Sequence, residues 1–553
     1  METHMNRTLI QLLAFSSILS LSACIPQKDE DEDEDDTSVF PDGDSDTDAD
    51  SDTDSDTDSD TDTDTDTDSD TDTDTDTDTG DADRDGYTIR EGDCDDDDRN
   101  INPGEDELCD EIDNDCDGDV DEDAVDGGEY PADEDGDGFG DPTNMITACA
   151  EIVTNTWDCD DDDASEPNVV DVLNAGSTQD GTLSYPYDTI QEGIDNARLC
   201  VAVYPGNSVE TIDFGGKDIE VFSTGNAKNT IIDGAGAGTT VTFNSGETAA
   251  AELRGFTITA GTGTSEVTTS SSSCGSSETC VTTYTRFYGG GVFIDSASPT
   301  LRGLLVTGNS LPAYSFSDGS LEDFYVYSYG GGMFINHSTG MTLTDVNFAT
   351  NTADQGGGLY VGDAAQVSLF QSRFVYNSAA TGAGLSASGG AVDATNVLFS
   401  GNAASTGGGA ANVDDGEMTW WNVTATANAG GSGSGVTVMG TSVFWFYSSI
   451  LSSNAGGAGA YVESGASLTA QYSNAYDNAG GNYAGITPPT GANGNVEVDP
   501  EFTNFTDDGA DNDDFSLATG SPMIDAGNPS ATYNDVDGTT NDIGAYGGPG
   551  GSW

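Results

Sequence analysis

The chain has 553 residues, 102 of them acidic against 12 basic, for a formal charge of −90. A surplus of that size repels nucleic acid and anionic lipid and attracts divalent cations. At this length more than one domain is expected, and the charge is uneven enough to mark where one segment gives way to the next.

His4 and Arg7 precede an apolar run from Leu9 to Leu21, too short to span a bilayer but long enough for an export signal. The run ends in Leu21-Ser22-Ala23-Cys24, which resembles a bacterial lipobox. That resemblance implies removal of residues 1–23 and lipidation of Cys24. The chain would then be exported and held by its N-terminal lipid at the outer membrane or cell surface. Residues 24–80 read as an Asp/Thr-rich linker, with Asp at every even position from Asp42 to Asp78. Period two suggests a strand, but charges this dense repel and leave nothing apolar to bury, so a disordered, extended linker is expected.

Residues 81–168 are acidic and contain cysteine. Three D-x-D-x-D-G loops stand here: Asp81-Asp83-Asp85, Asp113-Asp115-Asp117 and Asp133-Asp135-Asp137, each closed by glycine. Alternate carboxylates on a tight turn converge on one point, which suits a hard cation with oxygen ligands. The twelfth residues are Gly92, Ala124 and Asn144, not Glu, so these are not EF-hands. Asp121 and Asp141 stand ninth in their loops and are placed to complete two sites, while the first loop can borrow Glu91 or Asp93. Eight cysteines follow Cys24, an even number that in an exported chain favours disulfides of open connectivity. Cys274 and Cys280 are expected to close a Ser/Thr-rich loop.

The stretch DADRDGYTIREGDCDDDDRNINPGEDELCDEIDNDCDGDVDE resembles the bacterial MopE-type metal-binding repeat. ADEDGDGFGD through WDCDDDDASEPN resembles a second, partial copy, and DEDGDGFGD is also similar to thrombospondin type 3 calcium repeats. Both resemblances imply a bound metal. Structural Ca²⁺ is the expected ion, because this region has no His and export favours disulfides over zinc-binding thiolates.

From residue 169 to 553 the pattern changes. Asn351, Asn377, Asn402, Asn428, Asn454 and Asn478 recur every 24 to 26 residues, and Phe348, Phe374 and Phe399 each stand three before an Asn. Short alternating runs precede the Asn, and glycine pairs or triplets follow most of them. This predicts stacked units of strand and turn, with the Asn side chains bonded up the stack as a ladder. Asn309 lies 42 residues before Asn351, which marks an insertion around Leu311–Ser328. The GGG-hydrophobe and F-x-x-N elements resemble right-handed parallel β-helix proteins of pectin-lyase-like architecture and polymorphic outer-membrane protein repeats. Residues 180–197 resemble an amphipathic capping helix, and SPMIDAGNPS with DVDGTTNDIGAYGGPGG resemble a C-terminal cap. The expected class is all-β: a right-handed parallel β-helix solenoid behind the acidic linker and a small disulfide-rich, calcium-binding region.

For activity the residues speak more softly. A lyase needs a base and cations to neutralise an acidic sugar. The head's basic residues, Arg198, Lys217, Lys228, Arg254, Arg286, Arg302 and Arg373, do not recur at the rung period. No catalytic residue is assigned. Adhesion or recognition of an extracellular glycan or surface protein is the expected role. The insertion aromatics Tyr314, Phe316, Phe324, Tyr325, Tyr327 and Tyr329 are the candidate contacts, with Trp420, Trp421 and Trp445 on nearby rungs. The alternatives are a polysaccharide lyase or glycoside hydrolase, and a metal-scavenging surface protein.

Overall fold

A computed structural model describes residues 80–149, 153–273, 279–312, 322–505 and 513–551. The chain divides into two compact units, residues 1–76 and 77–553, and the described residues belong to the second. The expected export signal, Cys24, the Asp/Thr tract through Thr79, Cys274, Tyr314 and Phe316 lie outside them.

Beyond Asn168 the strands of the solenoid pair in parallel, rung upon rung. A first face runs from Asn168–Val170 through Cys200–Val203, Glu220–Ser223, Glu252–Arg254 and Thr300–Thr307 to Ser467–Gln471. A second runs from Gly206–Val209 to Asn474–Tyr476, and a third from Ile212–Asp213 to Tyr483–Ala484. Crossovers between parallel strands take the right-handed sense, so the chain winds a right-handed parallel β-helix.

Identical positions stack because each rung lies one strand spacing above the last. Ile258, Val306, Phe348, Phe374, Phe399 and Ala425 form one inward column in continuous register. The rings of Phe348, Phe374 and Phe399 stack at 4.7 Å between centroids. The facing column reads Leu343, Leu369, Ala394, Trp420 and Phe446. Volume is exchanged across the core. Ala394 shares its rung with Phe399, and Trp420 shares the next with Ala425, so a large side chain on one column is matched by a small one on the other. Trp420 is therefore core, fully buried and stacked on Phe399, not a ligand contact.

The Asn ladder forms as expected. The side-chain nitrogens of Asn309, Asn351, Asn377, Asn402, Asn428 and Asn454 each donate to the side-chain oxygen of the next Asn, at 2.8–3.1 Å. The backbone N–H of Asn402 donates to Asn428 as well, and its side chain also donates to the Phe374 carbonyl. These buried polar groups are thus satisfied. The residue before each ladder Asn holds a left-handed backbone, with φ between +48° and +66° from Gly308 to Asp477, which turns the strand and swings the Asn inward. The glycine triplet is explained by the same stacking. Gly356 needs φ +63°, and a Cβ on Gly358 would meet the Gly384 carbonyl of the next rung at 2.6 Å.

A helix at Ile190–Asn196 closes the N-terminal end, shorter than the 180–197 stretch of the sequence expectation. Thr189 caps it by accepting from the Glu192 N–H, and Ile190 and Ile194 plug the core. Lys217 donates to the Ile194, Asp195 and Ala197 carbonyls at the helix end. The C-terminal segment folds back along the flank of the solenoid. It follows the corner between the first and second faces, where Gln371, Asn396, Asn422 and Ser448 hold φ between +45° and +55°. Gln371 donates to the Gly550 carbonyl, Asn396 to those of Ala545 and Gly547, and Asn422 to that of Asp542.

The insertions form a three-stranded sheet of Thr264–Ser273, Thr279–Tyr288 and Glu322–Tyr329. Cys280 is disulfide-bonded. Tyr325 stacks on Tyr284 and Tyr329 on Tyr288, at 5.5 and 5.6 Å. Phe324 and Tyr327 remain exposed, but strand alternation sends them to opposite faces of this sheet. Tyr325, Tyr327 and Tyr329, at alternate positions of one strand, share a face, and Phe324 points to the other.

Candidate metal centre

The three acidic loops share one local geometry. In the first, Asp81 accepts from the Arg84 and Gly86 N–H groups, Asp83 from Asp85 N–H at 3.0 Å, and Asp85 from Tyr87 N–H at 2.8 Å. The third repeats this: Asp133 takes Gly136 and Gly138, Asp135 takes Asp137, and Asp137 takes Phe139. The second does so in part, with Gly118 on Asp113, Asp117 on Asp115 and Asp119 on Asp117. Such side-chain to backbone bonds two residues on are what Asp does in turns. Glycine at the sixth place supplies φ of +111°, +106° and +94°. In each loop the three carboxylates come within reach of one common point.

The free oxygens carry the chemistry. Asp83 Oδ1 holds the loop backbone, and Asp83 Oδ2 is buried without a partner. The same split recurs at Asp85, Asp93, Asp135 and Asp158, and Asp113 Oδ1 is also orphaned. An unpaired buried carboxylate oxygen is costly unless a cation or proton meets it. Burial, reinforced by neighbouring carboxylates, pushes Asp83, Asp93, Asp115 and Asp135 above the usual carboxylate range. Burial first, then Asp135 and Asp158, pushes Asp137 to about 7, and burial with Asp135 and Asp161 pushes Asp158 to about 6. Like charges have thus been gathered together, partly out of water, in each cluster.

Each loop is completed from elsewhere. Asp93, 3% exposed, stands close enough to Asp83 and Asp85 for their charges to interact. Glu91 instead accepts from the Thr88 hydroxyl, so Asp93 is the better placed of the two. Asp158 plays the Asp93 part for the third loop. The two are equivalent, each preceding the cysteine of a D-C-D-D-D-D run. Their Oδ1 atoms take Asp95 and Asp160 N–H, and the second loop residues, Ala82 and Glu134, donate to the matching Asp96 and Asp161. Around the second loop, Glu107 and Glu122 gather with Asp115.

Two expected ligands are placed differently. Asp121 accepts from the Asp110 and Glu111 N–H groups, and Asp141 binds the N–H and hydroxyl of Thr143. Both are engaged by these donors, and neither carries a buried unpaired oxygen of the kind found on Asp93 and Asp158. Asp158 was findable from its repeat with Asp93. Glu107 and Glu122 carry no local signal, since a chain reversal brings them to Asp115.

Disulfides Cys94–Cys116 and Cys109–Cys149 hold the loops together, and Cys159–Cys200 ties them to the first face of the solenoid. Cys159 and Cys200 also lie beside Glu166, but as a disulfide they offer no thiolate. Arg198 pairs with Asp160 and with Asp163, and Glu166 accepts from the Arg198 and Cys200 N–H groups.

Residues 93–122 and 493–513 match the Cu-binding MopE family, a metal-binding motif. The first match covers Asp93, the second loop and Glu122. The described part of the second lies near the C-terminal strands, and no metal-capable cluster among the described residues includes it. No curated protein matches the chain. Among solved structures, the crystal structure of pectate lyase Pel9A aligns with a TM-score of 0.33 and 13% identity, covering 68% of this chain and 94% of that one.

Proposed function

We propose that the region from Asp81 to Asp163 is a calcium-stiffened neck that presents the β-helix head for recognition of a glycan or protein outside the cell. The observation that carries the neck is the set of buried carboxylate oxygens left unpaired in all three loops. Calcium supplies the positive charge these oxygens need, as a structural ion. Asp81, Asp83, Asp85 and Asp93 would hold one ion. Asp113, Asp115 and Asp117, with Glu107 and Glu122 alongside, would hold a second, and Asp133, Asp135, Asp137 and Asp158 a third. The matched family carries copper in its name, but the donors here are oxygens, and the cysteines beside them are disulfides. Such sites suit hard cations. The lipobox-like signal supports an anchored, exported protein, and a regular solenoid offers broad outer faces for recognition.

Calorimetric titration of the full chain with Ca²⁺, Mg²⁺ and Cu²⁺ tests the neck. Saturation by calcium near three ions per chain, one per loop, is expected, with Kd around 10⁻⁴–10⁻³ M as in other extracellular modules. At tenfold excess over Kd each ion adds about 1.4 kcal/mol to the neck's stability, so chelation lowers its melting temperature. Copper binding that calcium cannot displace, or no heat with calcium, would sink this reading.

A further inference from the structure

Four of the chain's 12 basic residues, Lys228, Arg254, Arg302 and Arg373, line one open groove of about 1030 Å³ on the solenoid. In sequence they look unrelated. In space Arg254 and Arg302 are direct partners on adjacent rungs, their 48-residue separation created by the inserted strands Thr264–Ser273 and Thr279–Tyr288. The groove crosses five rungs, from Glu220 to Val375, or about 19 Å at the ~4.8 Å strand spacing.

It follows the same corner that the C-terminal segment fills further along. There Gln371, Asn396 and Asn422 offer amides that donate to peptide carbonyls. In the open half the equivalent left-handed positions are Gly255, Gly303 and Asp345. The peptide-reading amides are gone, and cations flank the channel in their place. The covered half shows that this corner accepts a chain running along the axis, there as a series of turns. The open half is furnished for a chain whose recognisable groups are anions.

The arginines are held ready. Arg254 pairs with Glu220 and lies over the Phe222 ring, and Arg302 binds Glu252 at 2.5 and 2.8 Å. Those contacts use only some of the five donors on each guanidinium, and the side chains stay 36% and 54% exposed. A buttressed guanidinium loses little freedom on meeting a carboxylate or sulfate. Asp345 and Asn347 also line the groove and can take hydroxyl groups.

We propose that this groove binds a polyanionic glycan, its carboxylate or sulfate groups pairing with Arg254, Arg302, Lys228 and Arg373. This rests on the reading of the head as a recognition module and is independent of the neck's ion.

The full chain is titrated with alginate, dextran sulfate, neutral dextran and polyglutamate, each with and without EDTA. Alginate against dextran sulfate separates carboxylate from sulfate recognition. One or both bind, neutral dextran does not, and Lys228→Gln/Arg302→Gln weakens binding about tenfold or more with or without chelator. An unchanged melting temperature of the head shows that the variant is folded. If the double variant does not fold, exposed Lys228→Gln alone should still weaken binding several-fold. The proposal falls if the folded variants bind as tightly as the parent, if polyglutamate binds better than both glycans, or if no polyanion binds. Binding abolished by EDTA yet untouched by the groove variants would place the glycan at the neck and overturn it too.

Discussion

Between Asp81 and Asp163 the described chain buries few apolar side chains, namely Ile101, Ala124, Ala132 and Phe139, and its turns hang on carboxylate oxygens. From Val169 onward apolar side chains line the interior from rung to rung, and strand pairs with strand. The neck is therefore a small scaffold with little core, stapled by disulfides. The solenoid carries its stability within its repeat, each rung completing the one beside it. On the proposed reading, one chain thus holds a region whose rigidity responds to cations and another whose rigidity does not.

The separation can be tested from the head first. Phe374→Ala opens a cavity between Phe348 and Phe399 and is expected to cost about 3–5 kcal/mol. A calorimetric scan should show the head melting earlier while calcium affinity at the neck is unchanged. Loss of calcium binding in that variant would break the comparison.

Asn402→Ala is next in size. It strands the Asn377 amide and the Phe374 carbonyl, both buried, at roughly 2–4 kcal/mol. Hydrogen exchange should speed up first on the rungs holding Asn377 and Asn428. Protection kept there would mean that the ladder adds little beyond the backbone pairing.

Within the neck, Asp158→Asn should weaken one calcium site about tenfold, or ~1.4 kcal/mol, whereas Asp141→Ala should leave all affinities as they were. Equal losses would show that turn capping and ion binding are not separable here.

The smallest effect lies at the C-terminal segment. Burial, with Asp535 and Asp525 nearby, raises Asp542 from 3.8 to about 6. A carboxyl raised on folding favours the native state fully below its unfolded value and loses that contribution as pH climbs through about 6. Asp542→Asn should flatten this slope and raise the melting temperature at pH 7 by on the order of 1 °C. An unchanged pH profile between 4 and 7 would point to another group.

The sequence by itself determined the repeat, the Asn ladder, the Phe column and the carboxylate loops. Each depends on spacing along the chain: a period that stacks like on like, or an Asp bonding its own backbone two residues on. Tertiary structure decided what required distant residues to meet. It set Asp93 beside the first loop, Asp158 beside the third and Glu107 beside the second, and engaged Asp121 and Asp141 with nearby backbone N–H groups. It paired the cysteines, buried Trp420 beside Ala425, and set Arg254 under Arg302. In each case the physical reason is that an insertion or chain reversal hides a neighbour in space. Burial and charge then act on that neighbour, not on its place in the sequence.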